Sequence, residues 1–250
     1  MMAQAPETLE GWYVLHDLRR IDWRAWQALS REERTTISEE TARLLQLQLS
    51  VNHSGDGSSA LYEIIGHRAD LLLLHLRPTM DELLTLEQQV NKSPLAQVSE
   101  RTYSFFSMTE LGRYNVTPGE GDALLNPHIR SRLFQEIPET PYVCFYPMNK
   151  RRGEQVNWYD LPIDERQELM RSHGLIGRRY ADRVKQMITG SQGLDDWEWG
   201  VTLWAEEPLP FKKMIYEMRF DQASSLYAEF GPFYLGRRRT PDQVAEYLLQ

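Results

Sequence analysis

LYEIIGHRADLLLLHLRPTMDELL, Leu61–Leu84, contains two strand candidates and the start of a helix, and its order decides the fold class. LYEIIG and ADLLLLHL are short alternating or apolar runs, while Thr79 followed by Glu82 has the spacing of a capping box, in which two side chains satisfy each other's backbone donors. Working outward, TYSFFSM follows as a strand. GWYVLHDL precedes as another, leading through IDWRAW to a helix announced by Ser30 and Glu33 and continued by Leu44, Leu45 and Leu47. A Gly/Ser loop at 54–59 closes that helix, so the first half reads βαββαβ.

The second half repeats the order. YVCFYPM is a strand expected to break at Pro147. NWYDLP then leads to a long helix expected from about Pro162 to Met187. A turn at GSQG, the strand WEWGVTLWA, a helix expected from about Leu209 to Phe230 and the strand PFYLGRR complete it. The strand needed before WEWGVTLWA is placed at Lys185–Thr189. Two such units match the ferredoxin-like arrangement, an α+β fold in which helices cover one face of an antiparallel sheet. The expected division is 1–112 and 138–250, joined by a Gly-, Pro- and Asn-rich connector at 113–137.

Composition narrows the function. The 250 residues are 41% apolar and 26% charged, which describes a globular chain with a real core. The N-terminus lacks a basic start followed by an apolar core, and Leu71–Leu74 is closed by His75 and Arg77. Neither secretion nor membrane insertion is expected. Cys144 is the sole cysteine, which excludes an internal disulfide and fits a cytoplasmic location. A net charge of -8 argues against nucleic-acid binding. Residues 1–99 hold nine Lys and Arg against fourteen Asp and Glu, yet residues 144–185 hold nine against six. That local basic field suits a compact anionic ligand, or a solvated helix face.

The chemistry gathers in the second half. Tyr142–Arg152, YVCFYPMNKRR, puts the phenol of Tyr146 beside Lys150, Arg151 and Arg152. Gly174 and Gly177 interrupt a helix at about 1 kcal/mol each, compatible with helix packing or with close approach of a flat ligand. His173 stands beside an apolar face bearing Leu169 and Met170, as a core histidine or an axial ligand of a porphyrin iron. Neither HExxH nor CxxC is present, so zinc is disfavoured. Trp197, Trp199, Trp204 and Tyr216 read mostly as core or interface packing, and His67 and His75 as structural.

YPMNKRR, NWYDLP, ELMRSHGLIGRRYA, QMITGSQGLDDWEWGVTL, KKMIYEMRFDQ and EFGPFYLGRR occur in that order over some 95 residues. Together they resemble the coproheme decarboxylases of the chlorite-dismutase-like superfamily. The GWY, RPTMDELL and SMTEL blocks extend the resemblance over nearly the whole chain. It implies two ferredoxin-like halves forming a dimeric α+β barrel, a homopentamer, and a porphyrin in the C-terminal half. It also implies His173 as the proximal iron ligand, Gln186 on the distal side, Tyr146 as the radical-forming tyrosine and Lys150 as its assisting cation. Met148 is expected against the macrocycle, Arg132, Arg219 and Ser224 at propionates, Tyr114 at another propionate-side position, and Trp197 near the site.

The implied reaction converts two propionates of ferric coproporphyrin III to vinyls, giving haem b through a three-propionate intermediate, with hydrogen peroxide as oxidant. The porphyrin is then substrate and cofactor together. Four propionates need several cationic or polar partners. A transient contact with ferrochelatase is a further expectation. The alternatives are a chlorite dismutase or haem peroxidase of the same superfamily, disfavoured for chlorite because Gln186 stands where the dismutases present an arginine, and a non-catalytic haem carrier or sensor.

Overall fold

A computed structural model describes residues 5–112 and 125–250. The chain forms two compact units that interleave along the sequence, rather than the consecutive segments expected from element order. Of the described residues, one comprises 5–11, 107–112, 125–134 and 140–233; the other 12–106, 135–139 and 234–250. The interleaving has a local cause. β1 (Thr8–Ile21) and β4 (Ser99–Gly112) are 14 residues long and contribute residues to both units, and the C-terminal strand pairs with a strand of the first half. The element order is βαββαβ in the first half; the second follows the same order with a short helix and strand inserted before its last strand and a helix added after it, and the fold is α+β.

In the second of these units, β1 pairs antiparallel with β3 (Leu71–Arg77), β3 with β2 (Ser58–Ile65), and β2 with β9 (Tyr234–Arg239). Every residue of β3 is buried, which explains its unbroken leucine run: a central strand covered on both faces has no solvent side to alternate with. The helices are α1 (Trp23–Ala28), α2 (Arg31–Leu49), α3 (Met80–Asn91) and α8 (Pro241–Leu249). Ile37, Leu45, Val244 and Leu248 from α2 and α8 pack with Leu71 and Leu73 in one core cluster. Both expected capping boxes form, Ser30 with Glu33 and Thr79 with Glu82, and Thr240 with Gln243 adds a third on the unanticipated α8. His75 is structural: it is buried with Nδ1 2.8 Å from Ser59 Oγ.

In the other unit, β5 (Tyr142–Lys150) pairs antiparallel with β7 (Trp199–Ala205), β7 with β6 (Lys185–Gly190), β6 with the end of β4, and β5 also with the short β8 (Ala228–Phe230). The helices here are α4 (Pro127–Leu133), α5 (Ile163–Arg178), α6 (Leu209–Met218) and α7 (Gln222–Ser225). Three expectations need correction. β5 does not break at Pro147 but continues to Lys150; the proline lies opposite Gly200, and its carbonyl accepts from Gly231 N at 2.9 Å. A proline lacks only its donor, so its carbonyl can still hold a neighbour.

Secondly, the helix expected to reach Met187 ends at Arg178, where a tight turn begins with Tyr180 N donating to Gly177 O. Residues 185–190 then pair fully with β7, so Gln186 is a strand residue. Thirdly, the helix expected to reach Phe230 ends at Met218. Asp221 takes extended backbone, and a short α7 and β8 follow. Asp221 makes no side-chain cap bond at this break; its carboxylate reaches His173 instead.

Candidate active site

A cavity of about 570 Å³ lies within the unit that holds β5–β8, a volume typical of small-molecule and cofactor sites. Its two walls follow from element geometry. Side chains alternate across a strand, so Tyr146, Met148 and Lys150 share one face of β5, with Val201 and Trp199 facing them in register from β7. Gln186 and Ile188 of β6 and Glu110 of β4 complete this sheet wall. The helical wall is Arg166, Met170, His173 and Gly174 from α5, Met214, Ile215 and Met218 from α6, and Ser224 from α7. Gln186 and His173 thus belong to opposite walls.

His173 is held by the helix break. Asp221, buried in that break, places Oδ2 2.8 Å from His173 Nδ1, with Ser224 Oγ 3.5 Å away. Burial lowers the imidazole pKa, against the opposing pull of Asp221, so the ring is neutral at neutral pH. With Nδ1 engaged by the carboxylate, Nε2 is the nitrogen left for a metal. A Cβ on Gly174 would meet no atom within 4 Å, and one on Gly177 would make ordinary contact with Met218 at 3.5 Å. Helix packing therefore does not demand either glycine, and Gly174 leaves the wall beside His173 open.

Tyr146 is buried, stacked on Phe233 at 4.5 Å and tilted against Phe230 at 5.7 Å. Burial pushes its pKa up, so the phenol keeps its proton. The cation acting on it is Arg219, which opposes that rise and lies 3.7 Å over the Phe230 ring. Lys150 donates instead to Ala223 O at 2.9 Å, lies 4.2 Å over the Trp158 ring, and has Asp221 and Glu198 as its charge partners. Burial brings its pKa down to about 8.

Arg132, Tyr146, Met148, Lys150, His173, Gln186 and Ser224 therefore line one cavity. Arg219 and Trp197 do not: Arg219 covers Phe230, and Trp197 packs near Gly231. Tyr114 lies outside the described residues. Arg151 pairs at the surface with Glu229 at 3.6 Å, and the exposed Arg152 with the buried Glu198 at 3.8 Å. Trp204 is core as expected. Trp199 lines the cavity, and Tyr216 is 62% exposed, edge-on to Phe220.

Sequence reasoning missed Asp221, Glu110, Arg166 and Trp158. Asp221 has a sequence signal, a helix-breaking residue within MRFDQ, inside the span expected as one helix. Arg166 looked like one more charge on a solvated helix, whereas it is buried in the helical wall. The donor set fits a carboxylate-bearing iron porphyrin: a neutral imidazole on one wall, methionines for the macrocycle, and the cations Arg132, Lys150 and Arg166 for its carboxylates.

The chlorite dismutase family model matches residues 24–239. The chain belongs to the chlorite dismutase family. Among its relatives, a coproheme decarboxylase from Staphylococcus saprophyticus is 50% identical over 247 residues, covering 98% of each chain. A haem-binding protein from Thermus thermophilus superposes with a TM-score of 0.92 at 44% identity, over 99% of this chain and 98% of that one. A chlorite dismutase from Candidatus Nitrospira defluvii superposes at 0.77 with 20% identity over 96% of each, a likeness of fold. Family membership agrees with the resemblance read from the ordered blocks, and the α+β fold with its doubled element order is that of the family.

Proposed function

We propose that the protein is a hydrogen-peroxide-dependent coproheme decarboxylase, which oxidatively removes CO2 from two propionates of ferric coproporphyrin III to give haem b through a three-propionate intermediate. The observation that carries this reading is one cavity with an Asp221-held neutral His173 on the helical wall and a buried tyrosine, Tyr146, on the sheet wall. The 50% identical coproheme decarboxylase, matched end to end, supports an enzyme of that class.

In this reading His173 binds the iron through Nε2, and Asp221 fixes its ring orientation. Arg132, Lys150, Arg166 and Ser224 hold carboxylates, and Met148 lies against the macrocycle. The bound iron porphyrin, with peroxide, supplies the oxidising capacity. Tyr146 supplies an electron and a proton, its phenoxyl radical takes a hydrogen atom from the β-carbon of a neighbouring propionate, and loss of CO2 with a second electron, taken up by the remaining oxidising equivalent of the peroxide, leaves the vinyl group. Phe230 and Phe233 keep water from that phenol and hold its plane. Lys150 acts at the His173–Asp221 end of the cavity, and Arg219 acts electrostatically on Tyr146 from behind Phe230. Gln186 offers a neutral amide on the wall facing His173, where an anionic oxidant would need a cation.

Assembly as a homopentamer, work in the cytoplasm and transient contact with ferrochelatase belong to the same proposal, supported by the family resemblance. Among the described residues no helix is long and apolar enough to cross a membrane. The test is to add ferric coproporphyrin III to the purified protein and titrate with peroxide. Stepwise loss of two carboxyl groups by mass spectrometry supports the decarboxylase, oxygen release from chlorite a dismutase, and unaltered bound porphyrin a carrier.

A further inference from the structure

We propose that Glu110 is a further catalytic residue of this cavity, a proton relay to hydrogen peroxide on the sheet wall; this rests on the decarboxylase reading above. Glu110 is the sole carboxylate among the described residues that line the cavity. β4 pairs with β6 as Thr109 with Thr189, so one residue further on Glu110 falls opposite Ile188. Ile188 is paired with Val201, and Val201 with Tyr146. A single cross-strand row thus runs from the carboxyl to the phenol, on the wall facing His173.

The carboxyl sits in a prepared place. The indole N–H of Trp199 donates to it, and a Cβ on Gly190 would fall 2.2 Å from Glu110 Oε2 and 3.2 Å from Gln192 Oε1. Glycine at 190 is what leaves room for the acid. Burial, the largest influence, raises its pKa, the Trp199 bond opposes this, and Glu10 on β1 adds to the rise. Arg132, Tyr146 and Lys150 are the other titratable groups of this wall and rim.

The reaction requires such a group. Per propionate, R–CH2–CH2–COO⁻ + H2O2 + H⁺ gives R–CH=CH2 + CO2 + 2 H2O. The β C–H bond and the bond to the carboxylate break, and the two electrons released reduce the O–O bond. Cleaving that bond heterolytically requires a proton to leave one peroxide oxygen and reach the other, which departs as water. A carboxylate can take the first proton and return it to the leaving oxygen, ending unchanged. The Gln186 amide has no proton affinity for this, and Tyr146 stays protonated until it is oxidised.

The test uses the porphyrin-loaded protein and its Glu110→Gln, Glu110→Asp and Trp199→Phe variants. In Glu110→Gln the rate of reaction with peroxide should fall roughly 10²–10⁴-fold, the usual contribution of a positioned acid–base group. Porphyrin affinity should stay within about twofold, the acid limb of the pH–rate profile should vanish, and Glu110→Asp should restore part of the rate. Trp199→Phe removes the donor that favours the carboxylate, so the acid limb should move to higher pH. In the porphyrin-free protein, a carboxyl infrared band titrating above the ordinary carboxylate range should be present and absent from Glu110→Gln. An unchanged peroxide rate and pH profile in Glu110→Gln, with the wild type decarboxylating normally, overturns the relay alone. So does weakened porphyrin binding with an unchanged peroxide step, which makes Glu110 a substrate contact. A wild type that does not decarboxylate overturns the parent reading as well.

Discussion

Asp221→Ala removes the group that holds His173. The wild-type bond spans 2.8 Å from a side chain that is 2% exposed, and the other neighbour of Nδ1, Ser224 Oγ, stands 3.5 Å away, at the edge of hydrogen-bonding range. Loss of an orienting partner typically costs 10–100-fold in metal affinity, about 1.4–2.7 kcal/mol. Asp221 is the largest influence opposing the fall of the Lys150 pKa to about 8, so without it Lys150 drops further, which offsets the negative charge that the substitution removes and leaves the loss of the His173 partner as the main effect. The dissociation constant for ferric coproporphyrin III at pH 7, read from absorption titration, should rise by about 10–100-fold, with an altered spin-state spectrum. Asp221→Asn, which keeps an acceptor but not the charge, should fall between. An affinity and spectrum of Asp221→Ala indistinguishable from wild type would refute the reasoning.

Tyr146→Phe should bind ferric coproporphyrin III with little change yet form no three-propionate product under peroxide; mass spectrometry of the extracted porphyrin reads both. Because the Lys150 pKa is lowered to about 8, the protein should bind the anionic porphyrin less tightly as pH rises through that value, and Lys150→Met should bind weakly with that dependence gone. Burial holds His16 and His75 neutral, at pKa values of about 3, below the ordinary 6.5. The unfolded chain therefore binds more protons between those values, and thermal stability should fall as pH drops from 6.5 toward 3, less steeply in His75→Gln. Ser30→Ala removes the α2 cap and should cost about 1 kcal/mol in denaturant unfolding.

What was legible in the sequence was whatever a local rule determines. Ser30 with Glu33 and Thr79 with Glu82 announce helix starts because the cap bonds lie within four residues. The leucine run of β3 announces a buried strand, and Lys185–Thr189 emerged because the topology required a strand there. Helix ends were harder. Residues 179–187 and 219–230 hold good helix formers, and only the pairing of Gln186 with Leu203 and the bond from Asp221 to His173 show why the helices stop. For the same reason the family blocks put seven candidate residues in one cavity, but not Asp221 or Glu110. Their roles depend on partners 48 and 89 positions away, His173 and Trp199. Lys150 shows the converse: it shares a face of β5 with Tyr146, yet the bend of α7 gives it its own set of partners.

The porphyrin product is the most direct test of the proposed reaction. Ferric coproporphyrin III bound to the wild-type protein and titrated with hydrogen peroxide should lose two carboxyl groups in succession, with the three-propionate species accumulating first and haem b last. Porphyrin recovered with all four propionates, or bleached without either product, would contradict it.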